Sequence, residues 1–423
     1  MENVATSPIK SSNRIKDLIN SFGPGIMMAT AAVGGSHLVS STKAGAIYGW
    51  QLAIVILLVN LFKYPFFRAG IQYTMGTGKS LVEGYSLMGR GYLWVYTGLT
   101  IVASIVSTAA LLMFSASLLS YFSPFDVSIT VNAGIILAIC LAILFAGQYR
   151  ALDTISKVIM ITLVIATVCA VIVAFGNGAV APADYQSPTI WDIASIGFIV
   201  IMMGWMPGPI EVSSITSMWL KNQRTQKNVT EQEALFDFNV GYIGTALLAV
   251  VFLALGALVL NGSGQELAKS GIGFSHQLVS LYASTIGEWS RYLIAVIAFF
   301  CIFGSTITVI DGYARVLSEA QLLLQKKSLD QPKYHNNWMG VIGVAGMVVL
   351  LFFTAQLITM LNFAMILAFI TTPVFAVLNY RLIVTANLKG RLAMTPRMKA
   401  LSWIGLVYLF GFLAVFIWWK WIM

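Results

Sequence analysis

From about residue 22 to the C-terminus the chain is a succession of apolar runs. Each is long enough to cross a bilayer core as a helix, for which about twenty residues suffice. Only 10% of the 423 residues are charged and 58% are hydrophobic. A soluble domain carries roughly 25% charged residues because its surface must be wetted. A chain this poor in charge cannot cover a globule with polar groups, so its surface must face lipid. The expectation is an all-α polytopic membrane protein, with the lipid bilayer as its first partner.

The apolar runs divide into about eleven spans. They lie near 22–47, 50–75, 93–122, 127–147, 154–175, 190–220, 238–260, 290–322, 338–355, 357–380 and 400–421. The connection 261–289 is long enough for a short helix lying on the surface. Residues 1–20 form a polar tail carrying Lys10, Arg14 and Lys16, with no apolar core and cleavage site of a signal peptide. Short loops rich in Lys and Arg mark the cytoplasmic side. With the N-terminus inside, Lys79, Arg90, Arg150, Lys157, Lys221, Arg224, Lys326, Lys389 and Arg397 all fall inside. Outside, Ser123–Asp126 and Gly176–Thr189 carry no Lys or Arg, and only Lys43, Lys269, Arg291 and Lys420 fall toward that face. This asymmetry expects eleven spans in the cell membrane, N-terminus cytoplasmic and C-terminus outside. It also accounts for the net charge of +9 without nucleic acid. Cys140, Cys169 and Cys301 all lie within apolar runs and read as core thiols. No HExxH, CxxC, GxSxG or P-loop is present, so neither an enzyme, a cofactor nor an ATP-driven pump is expected.

Two spans are interrupted. Span 1 reads Gly23-Pro24-Gly25 and then meets Gly34-Gly35-Ser36-His37 near the midplane. Span 6 runs from Gly197 through Met203 to Trp205-Met206-Pro207-Gly208-Pro209, followed by Glu211. Glycine weakens a helix, and proline removes a donor and clashes with the preceding turn. Bare backbone at membrane depth is tolerated only where it faces protein or a water-filled cavity. Two breaks five spans apart are what inverted repeats predict, because an odd offset makes the second copy enter from the opposite side. Paired discontinuous helices point to a transporter's substrate site.

Ala44-Gly45-Ala46, Gly49-Trp50, Thr77-Gly78-Lys79-Ser80-Leu81 with Glu83, and Trp205-Met206-Pro207 resemble the NRAMP family of metal-ion transporters. The likeness runs through spans 1 to 6 and fits the layout to span 11. It implies a LeuT-type fold: one five-helix repeat over 22–175, an inverted second over 190–380, and an extra helix at 400–421. It also implies a divalent metal carried with protons. The family's metal site is Asp-Pro-Gly-Asn in span 1 and Met-Pro-His in span 6. Aligned on Ala44-Gly45-Ala46, the aspartate position is Gly34 here and the asparagine position is His37. Met206 keeps the methionine and Gly208 stands at the histidine position. The carbonyls of Ala31 and Met203, one turn earlier, would also face the site. Without the aspartate, hard oxygen-seeking ions lose their one formal charge, whereas softer ions could use Met206, His37 and Glu211.

The expected substrate site is therefore Ala31, Gly34, Gly35, Ser36, His37, Met203, Met206, Pro207, Gly208 and Glu211. Glu211 could replace the aspartate, bind an amine, carry a coupling proton, or cap the second half-helix; a carboxylate at this depth is a functional candidate by default. His37 could carry a proton, ligate an ion, or serve as a core group. Asp311, a third coupling candidate, shares one face of span 8 with Arg315 and Glu319 at i, i+4 and i+8, a possible ion-pair ladder. Three functions follow. The first is alternating-access transport of a metal cation. The second is transport of a small organic solute such as a carboxylate or amino acid, cradled by the free N–H groups of span 1. The third is a non-transporting sensor or scaffold.

Overall fold

The computed structural model describes residues 23–122, 127–147, 149–265, 268, 270–329, 331–353 and 356–422, with backbone alone for 149–157. The N-terminal tail, the Ser123–Asp126 loop, Lys269 and the side chains of Arg150 and Lys157 lie outside this description. Among the described residues the regular structure is helical throughout. Span 1 is α1 (Pro24–Ala32), a π-helical turn (Ser36–Ser41) and α2 (Thr42–Tyr48). Span 2 is α3 (Ala53–Thr77), followed by a short α4 (Leu81–Met88). Spans 3 to 5 are α5 (Arg90–Ser120), α6 (Ile129–Phe145) and α7 (Tyr149–Asn177). Span 6 is split into α8 (Ile193–Gly204) and α9 (Val212–Gln226). Span 7 is α10 (Glu231–Val259), and α11 (Gly271–Ile286) connects it to span 8, α12 (Ser290–Leu324). Spans 9 to 11 are α13 (Pro332–Leu351), α14 (Leu357–Ala386) and α15 (Pro396–Trp421). Among the described residues, seven helical stretches are long and apolar enough to cross a membrane. The interrupted spans fall short of that test because each is cut in two.

Two helices differ from the sequence expectation. The helix in the 261–289 connection does form, but it does not simply lie on the surface. Phe274, Leu278, Leu281 and Tyr282 of α11 are buried, with Phe274 against Phe114 of α5 and Tyr282 bonded to Thr167 of α7. The residues after span 2 also fold, as α4, whose start is a capping box: Ser80 Oγ accepts from Glu83 N and Glu83 Oε2 accepts from Ser80 N. Gly78, with φ of +75°, ends α3 and turns the chain toward that cap.

Span 1 is pressed against span 7 by missing side chains. A Cβ on Gly45 would fall 2.0 Å from the Leu253 carbonyl oxygen, and one on Gly256 2.1 Å from that of Thr42. Gly25 and Gly241 make the same kind of approach at the other end. Between lipid-bathed helices this close backbone contact supplies dispersion that larger residues would forbid. Asp237 of α10 fixes the start of α1, accepting from the backbone N–H of Gly23 (3.1 Å), Gly25 (2.7 Å) and Ile26 (3.2 Å). The carboxylate thus meets the positive end of the half-helix and satisfies donors that have no helical partner. Asp237→Ala should lower the stability of the detergent-solubilised protein by on the order of 3 kcal/mol. Asp237→Asn, which keeps one acceptor, should cost less. Thermal melting of the two variants checks the order.

Candidate functional site

At the break in span 1, Gly34 N–H turns back to the Ala32 carbonyl (2.9 Å), and the chain resumes with Leu38 N–H on the Gly34 carbonyl (3.0 Å). The carbonyls freed there are taken up locally. Ser305 Oγ donates to Thr30 O (3.1 Å), Cys301 Sγ to Val33 O (3.3 Å), and Ser36 Oγ to Ala32 O (3.0 Å). His37 Nε2 lies 3.0 Å from the Thr245 carbonyl, and Nδ1 lies 2.8 Å from Ser36 Oγ. Nδ1 also lies 3.1 Å from the Ala32 carbonyl, so each ring nitrogen faces an oxygen that can only accept. The ring packs edge-on against Phe252. His37 therefore faces span 7.

At the break in span 6, α8 ends at Gly204, the connection 205–211 contains Pro207 and Pro209, and α9 restarts at Val212. The last carbonyls of α8 carry the negative end of its dipole. They converge on a side chain from span 2. Lys63, fully buried in the middle of α3, places its Nζ 2.7 Å from the Met203 carbonyl, 3.2 Å from Gly204 and 3.3 Å from Gly208. An ammonium has three hydrogens and no acceptor, and all three have a carbonyl here. Glu211 is close enough to interact electrostatically with that charge. Its Oε1 accepts from Tyr313 Oη at 3.2 Å. Its Oε2 is buried without a partner.

Between the breaks lies a small chamber of about 40 Å³ bounded by spans 1, 3, 6 and 8. Its walls include Ala31, Gly35 and Ser36 of span 1, Ser107 and Leu111 of α5, Trp205, Gly208 and Trp219 of span 6, and Tyr313 of α12. Both indole N–H groups, at Trp205 and Trp219, are buried and unpartnered. Of the ten substrate-site residues read from the sequence, four line this chamber: Ala31, Gly35, Ser36 and Gly208. Gly34 faces Ser305, and a Cβ there would sit 3.3 Å from its hydroxyl. Met203 contributes its carbonyl to Lys63, and Pro207 lies in the connection. The Met206 side chain belongs to a separate apolar cluster with Tyr48, Phe369 and Phe416. Met206, His37 and Glu211 thus do not meet as one set of ligands. Among the described residues no group of three His, Cys, Asp or Glu could hold a metal ion.

The charged face of α12 is divided. Arg315 grips Asp311 through two bonds (2.7 and 2.8 Å), with His335 Nε2 3.2 Å from the same carboxylate. Glu319 leaves that ladder. It accepts from Ser80 Oγ (2.5 Å) and pairs with Lys221 of α9 (3.1 Å), which also holds Glu83 of α4 (2.6 Å). Asp311 does not line the chamber. Asn379 of α14 donates to Phe66 O and Ser213 Oγ and accepts from Tyr85 Oη, joining spans 2, 6 and 10 to α4. Sequence reasoning passed over Lys63 and Asp237, although a charge inside an apolar span was the available signal in both cases.

The family described as Nramp, natural resistance-associated macrophage protein-like, matches residues 25–419. The uncharacterized protein PM0681 of Pasteurella multocida (strain Pm70) is 50% identical over 399 residues, covering 94% of this chain and 91% of that one. A manganese transporter of Eremococcus coleocola, solved with an aromatic bis-isothiourea substituted compound, superposes with a TM-score of 0.71 at 14% identity, covering 97% of this chain and 88% of its own. MhsT in complex with L-phenylalanine gives 0.64 at 14% identity, with coverage of 93% and 97%. Mhp1, a nucleobase-cation-symport-1 family transporter, gives 0.59 at 14%, with coverage of 94% and 92%. At such identities the structural likenesses establish the fold, which is of the LeuT type.

The two glycines of span 6 should respond oppositely to an added methyl. A Cβ on Gly204 would lie 1.9 Å from the Met365 carbonyl oxygen, whereas one on Gly208 meets nothing closer than 3.8 Å. Gly204→Ala should destabilise by about 1–3 kcal/mol, as overpacking does. Gly208→Ala should melt within about 0.5 kcal/mol of the parent. Paired thermal melts in detergent check this.

Proposed function

We propose a cargo and a route for this chain, which belongs to the natural resistance-associated macrophage protein-like (Nramp) family and is a multi-pass membrane transporter rather than an enzyme. The route is alternating access around the paired breaks, with the chamber between spans 1, 3, 6 and 8 as the binding position. The five-helix repeats are taken as 22–175 and 190–380, with the N-terminus cytoplasmic, the C-terminus outside, and the cell membrane as the site of action. The basic loops support that orientation.

The proposed cargo is a metal cation. One observation carries this reading: the carbonyls of Met203, Gly204 and Gly208 already converge on a positive charge. Half-helix ends and unwound carbonyls are where carriers of this architecture seat cations. Family membership and the fold shared with a manganese transporter support the same cargo. Glu211, its second oxygen unpartnered, is the proposed carboxylate for the ion or for a coupling proton. Met206 and His37 would join only after rotating from their present partners.

The second reading, a small organic solute, has its own observation. Trp205 and Trp219 line the chamber, and the indole N–H of each is buried without a hydrogen-bond partner. Buried polar atoms in native proteins are normally paired.

Reconstituted vesicles separate the two. The metal reading expects saturable Mn²⁺ entry above that of empty vesicles, strongly reduced by Glu211→Ala. Restoring the missing carboxylate with Gly34→Asp, whose Cβ would lie 3.3 Å from the Ser305 hydroxyl, should then strengthen Mn²⁺ binding. Absence of Mn²⁺ flux, together with uptake of a carboxylate or amino acid that Gly34→Asp abolishes, would overturn the metal cargo in favour of the organic one.

A further inference from the structure

Lys63 occupies the place where a cation would sit, and nothing in the sequence motifs of spans 1 and 6 requires a lysine in span 2. An ammonium taken from water into a bilayer-spanning bundle loses several kcal/mol of hydration unless its donors are met. Here the donors are met by backbone oxygens of a single broken helix, two from the end of α8 and one from the connection that leads to α9. Oxygen atoms from main-chain carbonyls are also what a bare alkali or alkaline-earth ion takes as ligands. A charged side chain on another helix and a free cation are therefore alternative occupants of one cage.

We propose that Lys63 is a resident cation: a tethered ammonium that fills the carbonyl cage of span 6 and closes it to dissolved cations until the side chain withdraws. The proposal deepens the cation reading above but rests on the cage itself, not on which solute is carried. Two consequences follow from the tether. The cage is held closed without any ion from solution, so the junction of α8 and α9 is ordered when no cargo is bound. The charge arrives attached to α3, so any cation that loads here must exchange with a group that cannot diffuse away. The Lys63 stem makes this local: it can retreat only along its own four carbons. Lys63 thus sets which ions bind, by competing with them.

A purely structural role predicts something different. If Lys63 only caps the end of α8, its neutral replacement leaves unsatisfied carbonyls and a weaker protein, with no new affinity for ions.

The test is cation binding to purified full-length protein in detergent, wild type beside Lys63→Met, by calorimetry and thermal melting in Na⁺, Mn²⁺ and choline chloride. Lys63→Met is expected to melt lower than wild type in choline. It should be restored toward the wild-type melting temperature by Na⁺ or Mn²⁺, and bind one of them at least about ten-fold more tightly than wild type does. Lys63→Arg, which keeps the charge, should gain no such affinity. If Lys63→Met does not fold, Lys63→Gln takes its place, retaining one donor for the Met203 carbonyl. Equal cation affinity in wild type and in the neutral variant overturns the proposal, as does a loss of stability that no cation repairs. The readout is binding, not flux. A neutral variant that gains an ion while vesicles show no metal uptake leaves this inference standing and removes the proposed cargo. Metal uptake with no gain in the variant does the reverse.

Discussion

A helix that stops in the middle of a bilayer leaves carbonyls that no water can reach, and the rest of this structure is arranged around that constraint. Each unsatisfied group would cost several kcal/mol in hydrocarbon. The two breaks solve the problem differently. In span 1 the freed oxygens are met by neighbouring hydroxyls, a thiol and the His37 ring. In span 6 the oxygens are met by the side-chain nitrogen of Lys63 from span 2. The two interrupted spans are thus chemically unlike, one met by several short side chains and the other by a single lysine.

Much of this could be read from residue order alone, because it follows from local rules. The helical spans come from apolar length, and the two interruptions come from Gly34-Gly35 and Pro207-Gly208-Pro209, whose effect on a helix does not depend on neighbours. The site itself was less legible. Which face of a broken span looks into a chamber depends on crossing geometry between helices far apart in sequence. His37 shows the difficulty: it sits at the break, but its ring turns to the Thr245 carbonyl of span 7. Met206 likewise belongs to a cluster with Phe369 and Phe416, residues of spans 10 and 11. Asp311 and Arg315 pair as helical spacing suggests. Glu319 does not join them, because Lys221 and Ser80 from other helices offer it better partners. Lys63 and Asp237 were open to the same rule that drew notice to Glu211, since each is a charge within an apolar stretch. What could not be foreseen was the partner, a set of main-chain atoms that leave no trace in composition.

The fixed contacts also limit what can move. Spans 1 and 7 approach backbone to backbone through Gly25, Gly45, Gly241 and Gly256, and Asp237 bridges their ends. Spans 2, 6 and 10 are joined through Lys63 and Asn379. Interfaces of this kind are bistable rather than continuously deformable. The two groups are themselves tied, Tyr242 Oη of span 7 donating to the Asn60 carbonyl of span 2 (2.6 Å) and Tyr64 Oη of span 2 to Asn239 Oδ1 of span 7 (2.8 Å). The chamber lies where the groups meet, since span 1 forms one wall and span 6 another.

One charge of the pattern the chain resembles is missing. That pattern has an aspartate where Gly34 stands, supplying negative charge for a diffusing ion. Here the side-chain nitrogen of Lys63 lies among three carbonyls of span 6 instead. An ion that enters must bring enough binding energy to displace an ammonium held by three oxygens, and the chamber beside it, with its two unpartnered indoles, is where that energy would have to be found.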